Sequence, residues 1–222
     1  ISFCAKRGEK IGIIGATGSG KSSLVSLIPR FYDATSGEVL LNGENVNCYP
    51  KDELCKKIGT VPQKAMLFAG TIRDNMLIGN RNANDDDIKY ALTAAQAIDF
   101  VNEKGLDFKV EQGGKNFSGG QRQRLTIARA LVKKPEVLIL DDSASALDFA
   151  TDLKLRKAIS ALDFKTTVFI VSQRTSSIRD CDKIIVLDEG KCVGMGSHEY
   201  LLENCGEYKE IYDSQFKKED EK

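Results

Sequence analysis

Three glycines, a lysine and a hydroxyl follow one another at fixed spacing in Gly15-Ala16-Thr17-Gly18-Ser19-Gly20-Lys21-Ser22. Glycines let successive backbone N–H groups turn inward around a phosphate, and a helix that starts there adds the positive end of its dipole. Lys21 is then a flexible cation within reach of the outer phosphates of a nucleotide. The Ser22 hydroxyl is placed to ligate Mg²⁺, and Ser23 completes the binding segment. This pattern has its meaning only between a strand and a helix. It lies there: Lys10 to Ile14 is a short apolar run ending at Gly15, and Ser22 to Phe31 has helical apolar spacing. The segment reads as a nucleotide-binding loop.

Asp141 ends the uninterrupted apolar run Val137 to Leu140, which has the character of a strand buried on both faces. Such a strand carries the carboxylate to the C-terminal edge of a parallel sheet, where the phosphate loop also lies and where it can hold Mg²⁺ through water. An aspartate after a strand is by itself an ordinary turn or cap residue; the loop upstream gives it a metal role. Together the two make a P-loop NTPase core. The many families built on such a core are separated here by Asn116-Phe117-Ser118-Gly119-Gly120-Gln121, followed by Arg122-Gln123-Arg124-Leu125. Ser118 and the two glycines form a bare helix N-terminus, suited to meet a γ-phosphate with a hydroxyl and backbone N–H groups.

At these residues the chain resembles the ABC ATPases, the ATP-binding domains of ABC transporters, whose signature is LSGGQ. In that family the signature contacts ATP bound on the opposite subunit, so the resemblance gives this role to Ser118, Gly119, Gly120 and Gln121. Other segments match the family in order over nearly the whole chain. Gln63 in Val61-Pro62-Gln63 looks like the glutamine that ligates Mg²⁺ and senses the transmembrane part. Ser145-Ala146-Leu147-Asp148 resembles the loop that crosses the dimer interface. Leu67 to Asn75 is similar to a segment of exporter-type domains beside the groove where the membrane domain docks. The resemblance implies ATP and Mg²⁺ as ligands, a second ABC ATPase domain as partner, a transmembrane domain fused upstream, and the cytoplasmic face of the cell membrane as location.

Two departures from the family pattern bear on catalysis. Where the family places a glutamate that polarises the attacking water, this chain has Asp142, one methylene shorter, and general-base catalysis needs hydrogen-bond reach. Where the family places a switch histidine, this chain has Gln173, whose amide donates a hydrogen bond but neither becomes cationic nor relays a proton. Together they point to a site that binds ATP and hydrolyses it slowly, as in the degenerate-site subunit of a heterodimeric exporter. The family's adenine-stacking aromatic residue lies upstream of the first strand, and a start at Ile1 without methionine reads as a piece of a longer polypeptide entered inside a strand.

The elements that must position these residues follow from periodicity. Asn42-Gly43, flanked by Glu38 to Leu41 and Asn45 to Cys48, signals a hairpin. Thr71 to Val101 is helical in pattern, with Ile88, Ala91, Leu92 and Ala95 on one face, and Gly113-Gly114 breaks it. Ser118 opens a helix through Val132, ended by Pro135. The runs Thr166 to Val171 and Lys183 to Leu187 repeat the buried-strand theme, with a helix at Leu153 to Leu162 before them. Strands alternating with helices predict an α/β fold. The expected architecture is a P-loop NTPase core with an antiparallel β subdomain over 1–71 and 135–222, carrying a helical subdomain over 72–134.

Composition sets outer bounds. A chain of 222 residues supports one large domain with a full core. Lys plus Arg balance Asp plus Glu at 32 each, so charge calls for neither nucleic acid nor an anionic membrane. The six cysteines are scattered without a C-x-x-C pair, and His198, the sole histidine, reads as a cap or surface residue rather than a ligand. No apolar run approaches the roughly 18 to 20 residues of a membrane span. Two alternatives stand beside an exporter ATPase: a regulatory nucleotide-binding subunit without useful turnover, and a soluble ABC ATPase that does not transport.

Overall fold

A strand that is apolar at every position must be covered on both faces, and the central strands of this protein are. The structure, a computed structural model, describes residues 1–143 and 145–216; of the charged tail from Phe216 to Lys222, expected from the sequence to be solvated, Phe216 ends a helix and 217–222 lie outside the described residues. In chain order the elements are β1 (Lys10–Gly15), α1 (Lys21–Ser26), β2 (Leu40–Leu41), β3 (Glu44–Asn45), α2 (Lys51–Lys57), β4 (Ile58–Val61), β5 (Gly70–Thr71), α3 (Ile72–Gly79), α4 (Asp85–Ala94), α5 (Ile98–Lys104), β6 (Lys109–Val110), α6 (Gly119–Leu131), β7 (Val137–Asp141), α7 (Phe149–Ser160), β8 (Thr167–Val171), α8 (Thr175–Ile178), β9 (Lys183–Asp188), β10 (Lys191–Gly196), α9 (His198–Asn204) and α10 (Gly206–Phe216).

Six strands form one sheet in the order β10-β9-β1-β8-β7-β4. All neighbours pair in parallel except β10, which runs antiparallel along β9 at the edge. Alternate residues divide the core in two. Ile11, Ile13, Ile139, Phe169, Val171, Ile185 and Leu187 face Val25 of α1, Leu54 of α2 and the β2–β3 hairpin. Ile14, Leu138, Leu140, Val168, Ile170, Ile184 and Val186 face the layer that includes α3 to α8 and the C-terminal helices.

The parallel register decides what meets at the sheet's C-terminal edge. Ile13 and Asp141 both pair with Val171, and Val61 pairs with Leu140. The residues just beyond these positions therefore emerge side by side: the phosphate loop after β1, Asp142 after β7, Gln173 after β8 and Gln63 after β4.

Several boundaries differ from the sequence expectation, each for a local reason. The helix expected over Ser22 to Phe31 closes at Ser26 because Arg30 turns left-handed (φ 58°), with Phe31 N–H donating to Ser26 O at 3.0 Å and Arg30 N–H to Leu27 O at 3.2 Å. The helical stretch expected over Thr71 to Val101 is three helices, since Asn84 caps α4 and Gln96 (φ 58°) separates it from α5. Ile1 lies outside any strand; instead Phe3 packs edge-on against Phe169 of β8, ring centroids 6.2 Å apart. Asn42-Gly43 does close an antiparallel hairpin, with φ of 54° and 82° at the two turn residues. No helix among the described residues is long and apolar enough to cross a membrane.

Candidate functional site

The glycine-rich loop is built so that only glycine fits at its first position. A Cβ on Gly15 would stand 2.1 Å from Leu187 O and 2.6 Å from Ser19 Oγ. Gly18 and Gly20 take φ of 85° and 95°, a region side chains avoid, which lets the chain wind back into α1. Thr17 and Gly18 are exposed at the rim, Ser19 is buried, and Gly190 N–H of the β9–β10 turn donates to Ser19 O at 3.2 Å. Lys21 lies buried across the loop, its Nζ donating to Gly15 O at 2.8 Å and to Ala16 O at 2.7 Å. Burial lowers the pKa of this ammonium, opposed by the nearby carboxylates of Asp142 and Asp141. Ser23 follows on the exposed side of α1.

Two carboxylates face this loop. Ser22 Oγ donates to Asp141 Oδ1 at 3.0 Å, across 119 residues of sequence. Burial pushes the Asp141 carboxyl up, the Ser22 hydrogen bond acting against it. Asp142 has a left-handed backbone (φ 46°), donates its N–H to Val171 O at 2.9 Å, and accepts at Oδ2 from Gln63 Nε2 at 3.0 Å. The cleft enclosed by these groups measures about 120 Å³ and is completed by Ser172 and Gln173 from the end of β8.

A cation fits this donor set. Ser22 and Asp141 offer two hard oxygens at hydrogen-bond distance, and the amide oxygen of Gln63 is the remaining atom for a cation on the opposite wall. Mg²⁺ favours one or two protein oxygens of this kind, with water and substrate phosphates filling the octahedron.

The remaining motif residues stand together elsewhere. Ser118 caps α6 through a reciprocal pair: its Oγ accepts from Gln121 N–H at 3.2 Å, and Gln121 Oε1 accepts from Ser118 N–H at 3.1 Å. Against it lies the loop Ser145 to Asp148, where a Cβ on Gly120 would come within 3.3 Å of Ala146 O and 3.7 Å of Leu147 Cδ2. Leu147 is buried, and Asp148 caps α7 by accepting from Thr151 N–H at 2.9 Å. Ser145 ties this loop back to the cleft, its Oγ donating to Asp142 O at 2.8 Å. Among the described residues, those lining the phosphate cleft include none from Ser118 to Gln121 or from Ser145 to Asp148.

His198 is neither cap nor free surface. Ser197 caps α9, while His198 Nδ1 lies 2.7 Å from the hydroxyl of the fully buried Tyr208. Gln215, which no motif marks, hydrogen-bonds the loop after β8. Its partners lie some forty positions away, and local spacing carries no signal of such a contact.

Known proteins of similar sequence and shape can be set beside this geometry. Residues 1–145 match a family model described as ABC transporter. An uncharacterized ABC transporter ATP-binding protein of Mycobacterium tuberculosis is 45% identical over 97% of this chain. An ATP-dependent lipid A-core flippase of Haemophilus ducreyi is 41% identical over 97%. The chain spans 38% of the length of each of these relatives. The solved structure of a bacterial Atm1-family ABC exporter with ATP bound superposes with a TM-score of 0.90 at 35% identity, over 95% of this chain and 37% of that one.

Proposed function

This chain belongs to the ABC transporter family and has the P-loop NTPase fold of its ATP-binding domains, and from that premise we propose that it binds MgATP and hydrolyses it to power export through a fused transmembrane domain. The observation that carries the reading is the convergence of Lys21, Ser22, Gln63, Asp141, Asp142 and Gln173 on one cleft from the ends of four parallel strands. Lys21 and the loop N–H groups of residues 15–23 hold the phosphates. Ser22, Gln63 and Asp141 would hold Mg²⁺, which would supply positive charge against the phosphate oxygens. Asp142 accepts the proton of the attacking water, and Gln173 donates to the γ-phosphate. The relatives whose names specify a flippase or exporter support the transport direction, and such a domain works at the cytoplasmic face of the membrane. Residues 72–134 act as a helical subdomain on a core of 1–71 and 135–222.

The site is slow in this reading, because Asp142 is a short base and Gln173 is no proton relay. The intact start of α6 then serves another chain: Ser118 to Gln121 complete a site on a partner ATPase domain that has the consensus residues, with Ser145 to Asp148 crossing the interface beside them. A purely regulatory role without useful turnover is the second reading, favoured by the same two substitutions.

Lys21→Ala removes the flexible cation of the loop, and charged hydrogen bonds contribute about 1.5–3 kcal/mol each. Calorimetry with MgATP on the folded variant is expected to read an affinity about 10- to 100-fold weaker. An unchanged affinity would remove Lys21, and the cleft with it, from the nucleotide site.

A further inference from the structure

The loop that carries Gln173 runs from buried Ser172 to buried Thr175 and is fixed at its start by Ser172 N–H donating to Ile13 O at 3.1 Å and Arg174 N–H donating to Ser172 Oγ at 2.9 Å. Its other end is held by a single side chain of α10. Gln215 Oε1 accepts from both Thr175 N–H and Thr175 Oγ1 at 2.9 Å, while Gln215 Nε2 donates to Gln173 O at 2.7 Å. One amide thus uses both its ends on one loop, and one of those bonds falls on the backbone of Gln173 itself. Fixing that carbonyl fixes the direction in which the exposed Gln173 side chain leaves toward the cleft.

Helix α10 is anchored firmly enough to act as a support. Tyr208 is fully buried with its hydroxyl on His198, Tyr212 packs against the same imidazole at 5.5 Å, and Phe216 stacks on Tyr212 at 4.4 Å between ring centroids. Gln215 follows this aromatic ladder one residue before its end. The arrangement is rigid body, side-chain bracket, loop.

We propose that Gln215 is a positioning residue for the γ-phosphate contact of Gln173, so that α10 sets how well this site distinguishes ATP from ADP. The inference rests on the reading of Gln173 as the residue facing the γ-phosphate. ADP has no such phosphate, so its grip on the phosphate loop is independent of the bracket. Only ATP affinity responds to it.

The test is calorimetry of MgATP and MgADP on the full chain, wild type against Gln215→Ala, Gln215→Glu, Gln173→Ala and the double alanine variant. Gln215→Glu keeps the acceptor for Thr175 but loses the donor to Gln173 O, and it carries the test alone if the alanine variant fails to fold. Each Gln215 variant is expected to lower the ATP-to-ADP affinity ratio about three- to tenfold, the range for one or two lost hydrogen bonds, with MgADP affinity unchanged. The double variant should lose no more than Gln173→Ala, because both changes remove one interaction. In Gln215→Ala, which removes the acceptor, hydrogen exchange should speed up at the Thr175 amide. A ratio lowered by Gln173→Ala but not by the Gln215 variants, or equal losses for ATP and ADP, would overturn the bracket and leave the site reading standing. An unchanged ratio in Gln173→Ala would overturn both.

Discussion

At Asp142 the backbone is left-handed, which costs a residue with a side chain about 1–2 kcal/mol. The surroundings hold it there through Val171 O, Ser145 Oγ and the Gln63 amide. That conformation places the carboxylate against Gln63, and a glutamate would carry it one methylene further into the cleft. Asp142→Glu combined with Gln173→His should therefore raise ATP turnover, measured as phosphate release with a competent signature facing the site. A positioned base contributes about 10²- to 10⁴-fold, so recovery of even part of it is measurable. No gain with MgATP binding intact would place the defect elsewhere. At this scale the sequence singles out the glycine loop and Asp141 by their neighbours in the chain. It was silent on pairing: the hydrogen bonds from Gln63 to Asp142 and from Ser22 to Asp141 span 79 and 119 residues, and no local period encodes them.

Elements were legible where one local rule governs them. The strands β1, β7, β8 and β9 are apolar at nearly every position, and Asn42-Gly43 dictates its own turn. Strand β10 escaped because its hairpin turns on Glu189-Gly190 (φ 45° and 78°), a weaker signal, and α10 because its burial depends on one tyrosine and a histidine from the preceding helix. Packing between helices is equally hidden from sequence. The last residue of α3, Gly79, lies so near α6 that a Cβ would stand 2.1 Å from Arg129 O and 2.7 Å from Val132 Cγ1. Gly79→Ala must push the two helices apart, and overpacking of this kind costs about 1–3 kcal/mol. Urea unfolding should show a lower midpoint at unchanged slope; an unshifted midpoint would mean that α3 and α6 are not in close contact. The signature serine sits under a similar constraint. Its hydroxyl caps α6, so Ser118→Ala would cost about 1 kcal/mol of stability and blur any functional readout.

On the scale of the whole molecule, the two groups of motif residues occupy separate places. The phosphate cleft lies at the C-terminal edge of the sheet, while the start of α6 and the Ser145 to Asp148 loop pack against each other outside it. Phe149, next to that loop, is 67% exposed, which suits a surface completed by another subunit. A homodimer would inherit Asp142 and Gln173 at both sites. The proposed heterodimer would give the start of α6 a purpose, completing a site on a partner with the consensus catalytic residues. Gly119 is the position at which to test this. Nothing but the end of Arg122 comes within 4 Å of a Cβ there, and a carboxylate in the first turn favours the helix, so Gly119→Asp leaves the fold intact while setting a negative charge where the partner's γ-phosphate would lie. The decisive measurement is steady-state ATPase activity of the assembled mixed dimer carrying either Gly119→Asp or Asp142→Asn in this chain. A heterodimer of this kind is expected to lose activity on the order of 10²-fold from Gly119→Asp, comparable to removing a transition-state donor, and far less from Asp142→Asn. Equal losses from the two substitutions, or full activity from this chain paired with itself, would contradict it.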